Sequence, residues 1–176
     1  MTHEIILAGF GGQGVLFAGK LMAYSGLMDG KEVSWLPSYG PEMRGGTANC
    51  SVCISDNDIS SPLVLEPEYL IVMNKPSYDK FIGTVKPGGK VFIDSSMIED
   101  TCGRTDIECC YVPATQLAQD NNLKGMANII LFGKLLKETS LTSMEVVKKG
   151  LAKCVPPSKA ALIDLNLTAV KIGMEY

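Results

Sequence analysis

The stretch Ile5-Ile6-Leu7-Ala8-Gly9-Phe10-Gly11-Gly12-Gln13-Gly14 decides how the rest of the chain is read. Aliphatic residues of β type feed a glycine turn, and the turn runs into an apolar segment that reaches Met28 with Lys20 as its one charge. This is the opening half of a βαβ unit. Backbone amides gather at a helix N-terminus, where the macrodipole favours an anion. Gly9, Gly11 and Gly14 satisfy the G-x-G-x-x-G spacing of a dinucleotide-binding turn. That fingerprint also needs an acid at the end of the second strand to hold the ribose. The second strand, expected over Glu32 to Leu36, instead ends in Trp35-Leu36-Pro37-Ser38, and Glu32 stands at its wrong end. The turn therefore reads as built for close backbone approach to a phosphate or a partner chain. Its candidate cofactor-binding residues are Gly9, Gly11, Gly12, Gln13 and Gly14, with Asn74 added from a later strand end.

A chain of 176 residues is expected to form one domain with a sizeable core, spanning 1–176. Hydrophobic residues make up 46% and charged residues 20%, the balance of an ordinary globule. Net charge is −3 and the Lys and Arg residues are scattered, which argues against a nucleic-acid surface. No apolar run reaches the roughly 18 residues a transmembrane helix needs, so no membrane association is expected. Met1 to Glu4 leads straight into the first strand with no signal-peptide pattern, and the expected location is cytoplasmic.

Six cysteines raise the question of metal or disulfide chemistry. Cys50 and Cys53 have C-x-x-C spacing, but within Thr47–Ser55 they read as part of a strand. Residues three apart on a strand point to opposite faces and share no metal. Cys102, Cys109, Cys110 and Cys154 add no second ligand spacing, so buried free thiols and no metal site are expected.

Along the chain, Gly19, Ala23 and Gly26 fall on one face of the first helix and would let it lie close to a sheet. Asp29-Gly30 ends that helix. Pro37 to Gly46, with two prolines and three glycines, reads as a loop. The connection to the Thr47–Ser55 strand is too short for a helical crossover, which makes an antiparallel or edge strand plausible there. Further strands are expected at Tyr69–Met73, Lys90–Ile93 and Ile107–Val112, with a helix through Ile82 between the first two. From Pro113 onward the pattern is helical. Its last helix is expected to start at Pro156-Pro157-Ser158 and to bury a stripe of Ala161, Leu162, Leu165, Ala169 and Ile172. The expected fold is α/β: a three-layer α/β/α Rossmann-like domain with a mixed, mostly parallel sheet and a helical C-terminal part.

Ligands of open α/β sheets sit outside the carboxyl ends of the strands. The Gly9–Gly14 turn, the Ser38–Gly46 loop, Asn74 and Asp94-Ser95-Ser96 all fall at such ends and could line one crevice. Turn formation and helix capping are the simpler roles for Asn74, Asp94 and Ser95. Glu42 and Arg44 lie in a stiff Pro/Gly segment that would hold them in one geometry, as recognition requires. No catalytic residue is expected. His3 is the sole histidine, there is no H-E-x-x-H, and Val15 rather than a lysine follows the glycines.

Taken together, Gly9–Gly14, Ser38-Tyr39-Gly40-Pro41-Glu42-Met43-Arg44-Gly45-Gly46, Asn74-Lys75-Pro76-Ser77-Tyr78 and Gly88-Gly89 ahead of the Asp94 strand resemble the gamma subunit of the 2-oxoacid:ferredoxin (acceptor) oxidoreductases, most of all its 2-oxoglutarate members, with the pyruvate and branched-chain 2-oxoacid members as close competitors. The resemblance implies one gamma-type domain in a complex that converts a 2-oxoacid, coenzyme A and an oxidised acceptor into acyl-CoA, carbon dioxide and reduced acceptor. It implies alpha and beta subunits that carry thiamine diphosphate and magnesium (Mg). A ferredoxin-like delta component would hold the iron–sulfur cluster, with external ferredoxin as acceptor. No cofactor is then expected on this chain alone. Tyr39, Glu42, Arg44, Gly45 and Gly46 would meet the partner subunits or the coenzyme A entrance. The alternatives are a free-standing NAD(P) oxidoreductase and a non-catalytic coenzyme A or nucleotide-binding module, and a homodimer of the isolated chain is a further possibility.

Overall fold

The computed structural model describes residues 1–38 and 47–176. Strand β1 (Thr2–Phe10) leads to helix α1 (Val15–Met28), then to β2 (Glu32–Ser38) and β3 (Thr47–Ser55). Strand β4 (Tyr69–Val72), helix α2 (Lys75–Phe81), β5 (Lys90–Asp94) and β6 (Glu108–Val112) follow. The chain closes with α3 (Ala114–Asp120), α4 (Ala127–Thr139), α5 (Met144–Cys154) and α6 (Ala161–Glu175).

The six strands form one sheet in the order β2-β3-β1-β4-β5-β6. β1, β4, β5 and β6 pair in parallel, while β3 runs antiparallel to both β1 and β2. The sheet is thus mixed, with β3 alone reversed. The short segment between β2 and β3 allows this, since only an antiparallel return can be made without a crossover helix. β2 runs two residues beyond the expected Leu36 and takes in Pro37, which the sequence pattern assigned to the loop. As an edge strand it has one unpaired side, where a missing N–H costs nothing.

Alternation along the strands splits the core between two faces. Ile5, Leu7, Cys50, Ile71 and Phe92 face α1, α3, α4, α5 and α6, whereas Ile6, Ala8, Cys53, Leu70 and Ile93 face α2 and the loops around it. The three layers are therefore unequal, with five helices on one side and one on the other. The opposite placement of Cys50 and Cys53 agrees with the expectation from their spacing. α1 lies close on the sheet as expected: a Cβ at Gly19 would run into the Cys50 sulfur, and one at Gly26 would lie 3.0 Å from Val33 Cγ2.

The last helix departs from expectation. Pro157–Lys159 forms a separate 3₁₀ turn, and α6 buries Asn166, Ala169, Val170 and Gly173. Ala161, Leu162 and Leu165, expected inside, are exposed, the two leucines to 37% and 42%. The cause is the crossing with α4. A Cβ on Gly173 would collide with the Ile130 carbonyl oxygen, and one on Gly133 with that of Val170. The two backbones meet through glycines, so α6 docks on its small residues and its leucines turn outward.

Gly173→Ala is expected to lower stability by about 3 kcal/mol, because the added methyl meets backbone that has no rotamer with which to yield. Chemical denaturation of the isolated chain measures this. Gly12→Ala, where nothing lies within 4 Å, is expected to cost only its left-handed strain, about 1 kcal/mol.

Candidate functional site

The turn after β1 is held by one side chain. The Phe10 N–H donates to Gln13 Oε1 at 2.6 Å, and Gln13 Nε2 donates to the Met73 carbonyl at 3.0 Å. The Gln13 N–H closes the turn onto the Phe10 carbonyl at 3.1 Å. Gln13 thereby ties the carboxyl end of β1 to that of β4. Gly9 makes the returning amide possible, since a Cβ there would lie 2.7 Å from Gln13 Oε1 and 3.2 Å from Met73 Cβ. Gly12 and Gly14 have φ of 94° and 75°, the left-handed region that favours glycine.

α1 starts after Gly14 without a side-chain cap and with no acid in its first turn. Among the described residues, no side chain caps its leading amides. The Gly14 carbonyl accepts from Ala18 N–H at 3.0 Å and from Asn128 Nδ2 at 2.8 Å. Sequence reasoning passed over Asn128 inside the Met126–Lys137 helix. A single polar residue on its apolar face was the available signal.

Asn74 and Asp94 take the capping roles expected of them. Asn74 is the N-cap of α2, where its Oδ1 accepts from Ser77 N–H at 2.8 Å. It is 1% exposed, and its Nδ2 has no hydrogen-bond partner among the described residues. Asp94, fully buried at the end of β5, accepts from Ser96 N–H at 3.1 Å and from Thr115 Oγ1 at 2.6 Å, which anchors the start of α3.

A cleft of about 270 Å³ opens over these strand ends and is lined by Gly12, Gln13, Met73, Met97, Thr115 and Lys124, among others. The glycine turn thus meets the ends of β4 and β5 in one crevice, with Asn74 and Asp94 outside its lining. Among the described residues, Lys124 is the one charged residue in that lining. With the glycine turn and Lys124 in its lining, the cleft is suited to hold an anion. Tyr39, Glu42, Arg44, Gly45 and Gly46 lie outside the described residues. The anchors of that segment are placed, however: Thr47 pairs with Phe10, and Ser38 with Asn49, beside the glycine turn.

The ribose position of a dinucleotide site is displaced as well as lacking its acid. β3 stands between β1 and β2, where a dinucleotide fold pairs those two strands directly. The cysteines divide between the two faces of the sheet, Cys50 and Cys110 on one and Cys53 and Cys109 on the other, with Cys102 beside Cys109. Burial pushes the Cys50 thiol up to about 12, and it donates to the Val15 carbonyl at 3.6 Å. Glu108, Cys110 and Glu138 bring ligand atoms within 4.8 Å of one another. Lys90 meets Glu108 at 2.8 Å and Lys134 meets Glu138 at 2.7 Å, so this cluster is an ion-pair network. Among the described residues, no helix is long and apolar enough to cross a membrane.

The family model described as pyruvate ferredoxin/flavodoxin oxidoreductase matches residues 4–176. The 2-oxoglutarate synthase subunit KorC of Methanocaldococcus jannaschii is 35% identical over 99% of this chain and 94% of its own length. The ketoisovalerate oxidoreductase subunit VorA of Methanothermobacter thermautotrophicus is also 35% identical over 98% of this chain, but the match covers only 36% of that longer polypeptide. Among solved structures, the gamma subunit of the keto/oxoacid ferredoxin oxidoreductase of Geobacter sulfurreducens superposes with a TM-score of 0.83 at 29% identity. That superposition covers 98% of this chain and 96% of the other.

Replacing Gln13 by Leu strands the Phe10 amide and the Met73 carbonyl. It is expected to cost about 1–3 kcal/mol, read as a lowered midpoint in denaturation. In the native chain Cys50 is expected to resist iodoacetamide at about pH 8, because the thiolate is the nucleophile and burial withholds it. Peptide mass spectrometry before and after unfolding checks this.

Proposed function

The chain belongs to the pyruvate ferredoxin/flavodoxin oxidoreductase family as a gamma subunit of a 2-oxoacid:ferredoxin oxidoreductase, and on that premise we propose that it serves a complex acting on 2-oxoglutarate. The complex would convert 2-oxoglutarate, coenzyme A and oxidised ferredoxin into succinyl-CoA, carbon dioxide and reduced ferredoxin. The observation that carries this reading is the full-length match to a 2-oxoglutarate synthase subunit. The equal identity to a ketoisovalerate oxidoreductase subunit makes a branched-chain 2-oxoacid the second reading.

The contribution proposed for this chain is to assembly and to the coenzyme A side of the active site. Support comes from the anion-suited cleft, where the amides of the glycine turn and Lys124 would meet phosphate. Arg44 is proposed as a second contact, to phosphate or to a partner carboxylate. Thiamine diphosphate, magnesium and iron–sulfur clusters are assigned to alpha, beta and delta-type partners.

The test is anaerobic purification of the chain with its co-purifying subunits, followed by 2-oxoacid-dependent viologen reduction. Larger partner chains and a preference for 2-oxoglutarate are the expected outcome; a preference for 2-oxoisovalerate would overturn the substrate assignment. In that complex Lys124→Ala and Arg44→Ala are each expected to raise the KM for coenzyme A about tenfold, the worth of one charge-assisted hydrogen bond. Unchanged coenzyme A kinetics and unchanged subunit stoichiometry in both variants would remove the chain from the coenzyme A side.

A further inference from the structure

Cys102 and Cys109 are brought together on the thinner side of the sheet. Cys109 stands on β6, the outermost strand there, and packs beside the core that Tyr78 and Phe81 of α2 fill. Tyr111 follows two positions later and so projects to the same face. Its hydroxyl accepts from the Cys102 N–H at 2.7 Å, which brings the β5–β6 connection back over the strand. The Cys102 side chain then lies beside the Cys109 thiol and the Tyr78 hydroxyl. Both cysteines are half-buried. The other thiols on the strands are turned elsewhere: Cys50 and Cys53 to the Val15 and Ser61 carbonyls, and Cys110 to the opposite face.

Bonds outside the two sulfurs hold them in this relation. Arg104 donates to the carbonyls of Ile82 and Val85 at 2.9 and 2.8 Å. It also grips both carboxylate oxygens of Asp106, at 2.9 and 2.6 Å. The loop between the cysteines is thus pinned at its middle. Gly103, between Cys102 and that pin, has open space where a Cβ would stand, so the backbone there is free to make the small turn a covalent link requires. The Arg104 guanidinium carries its positive charge near both thiols, which favours a thiolate.

We propose that Cys102 and Cys109 form a reversible thiol–disulfide pair that closes on reaction with a hydroperoxide and reopens with a dithiol reductant. The Cys102 thiolate attacks the peroxide oxygen, the O–O bond breaks, and Cys102 becomes a sulfenic acid as hydroxide leaves. Burial and the neighbouring Cys102 push the Cys109 thiol up to about 12, which makes it the resolving partner. Its sulfur attacks the sulfenic sulfur, the S–S bond forms, and its proton leaves with the sulfenic oxygen as water. The pair loses two electrons and the peroxide gains them. A dithiol returns both electrons through a mixed disulfide. The closed ring fastens the connection that also carries Met97 into the wall of the anion-suited cleft. The inference stands on this chain alone and is independent of the substrate assigned to its complex.

The full chain, reduced and freed of reductant, is treated with equimolar hydrogen peroxide, alkylated and digested with trypsin. Cleavage after Lys90, Arg104 and Lys124 puts Cys102 in residues 91–104, and Cys109 with Cys110 in residues 105–124. The expected product is these two peptides joined, two hydrogens lighter than their sum and separated again by dithiothreitol. It should form about tenfold faster than any oxidation at Cys154. Cys102→Ser and Cys109→Ser should each lose the link, and Cys110→Ser should keep it. Removing a thiol also disturbs packing, so the wild-type chain is melted before and after oxidation, where closure should raise the midpoint by about 5 °C. A link that survives in Cys109→Ser but not in Cys110→Ser would overturn the pairing. So would a link whose yield rises with protein concentration, which joins two copies, or sulfinic acid at Cys102 with no link at all.

Discussion

One primary amide holds the functional end of this protein together. Gln13 accepts from Phe10 and donates to Met73, so the last residues of two neighbouring parallel strands and the turn between strand and helix become one rigid piece. Parallel strands diverge beyond their last ladder bond, and their loops are otherwise free to move independently. Here the cleft floor is cross-linked without a covalent bond. Gly9 is the condition for it, because any side chain there would occupy the place of the returning amide. A sequence motif that reads first as an invitation to a phosphate is, structurally, also a clasp.

The unequal layers follow from the same end of the molecule. α1 is nearly apolar throughout and needs cover on its outer side, which α5 supplies; Gly150 admits the approach, since a Cβ there would lie 2.7 Å from Ser25 Oγ. α4 and α6 then close over the rest of that face through their paired glycines. The opposite face is covered by α2 and loops, with Tyr78, Phe81 and Val64 filling the core. Helical mass is thus collected on the side from which Asn128 reaches the glycine turn.

Much of this was legible in the residues. The β1–glycine–α1 unit, the antiparallel return of β3, the opposed faces of Cys50 and Cys53 and the caps at Asn74 and Asp94 all follow from local rules: side-chain periodicity, turn chemistry and loop length. What escaped depended on contacts distant in sequence. Nothing near Leu162 announces that a glycine pair on α4 and α6 will rotate it to the surface, since helical periodicity identifies a stripe without naming the neighbour it packs against. Asn128 escaped for the same reason; its partner Gly14 is 114 residues away. Pro37 was assigned to the loop because edge position, which makes it tolerable in β2, is a property of the sheet order. The Tyr39–Gly46 residues carry much of the family resemblance, yet their contribution to the site stands on sequence alone.

Pro37 also bears on how this protein avoids the wrong company. β2 is the outermost strand on its side of the sheet, and an outer strand is a template on which a foreign strand can add. At Pro37 an incoming chain finds a pyrrolidine ring in place of an amide donor, and at Glu32, the other end of the strand, an exposed carboxylate. The run of bonds needed for sheet extension is interrupted within seven residues. A subunit made to associate with others thus has a border that resists polymerisation, which directs its associations away from that edge and toward surfaces built from side chains.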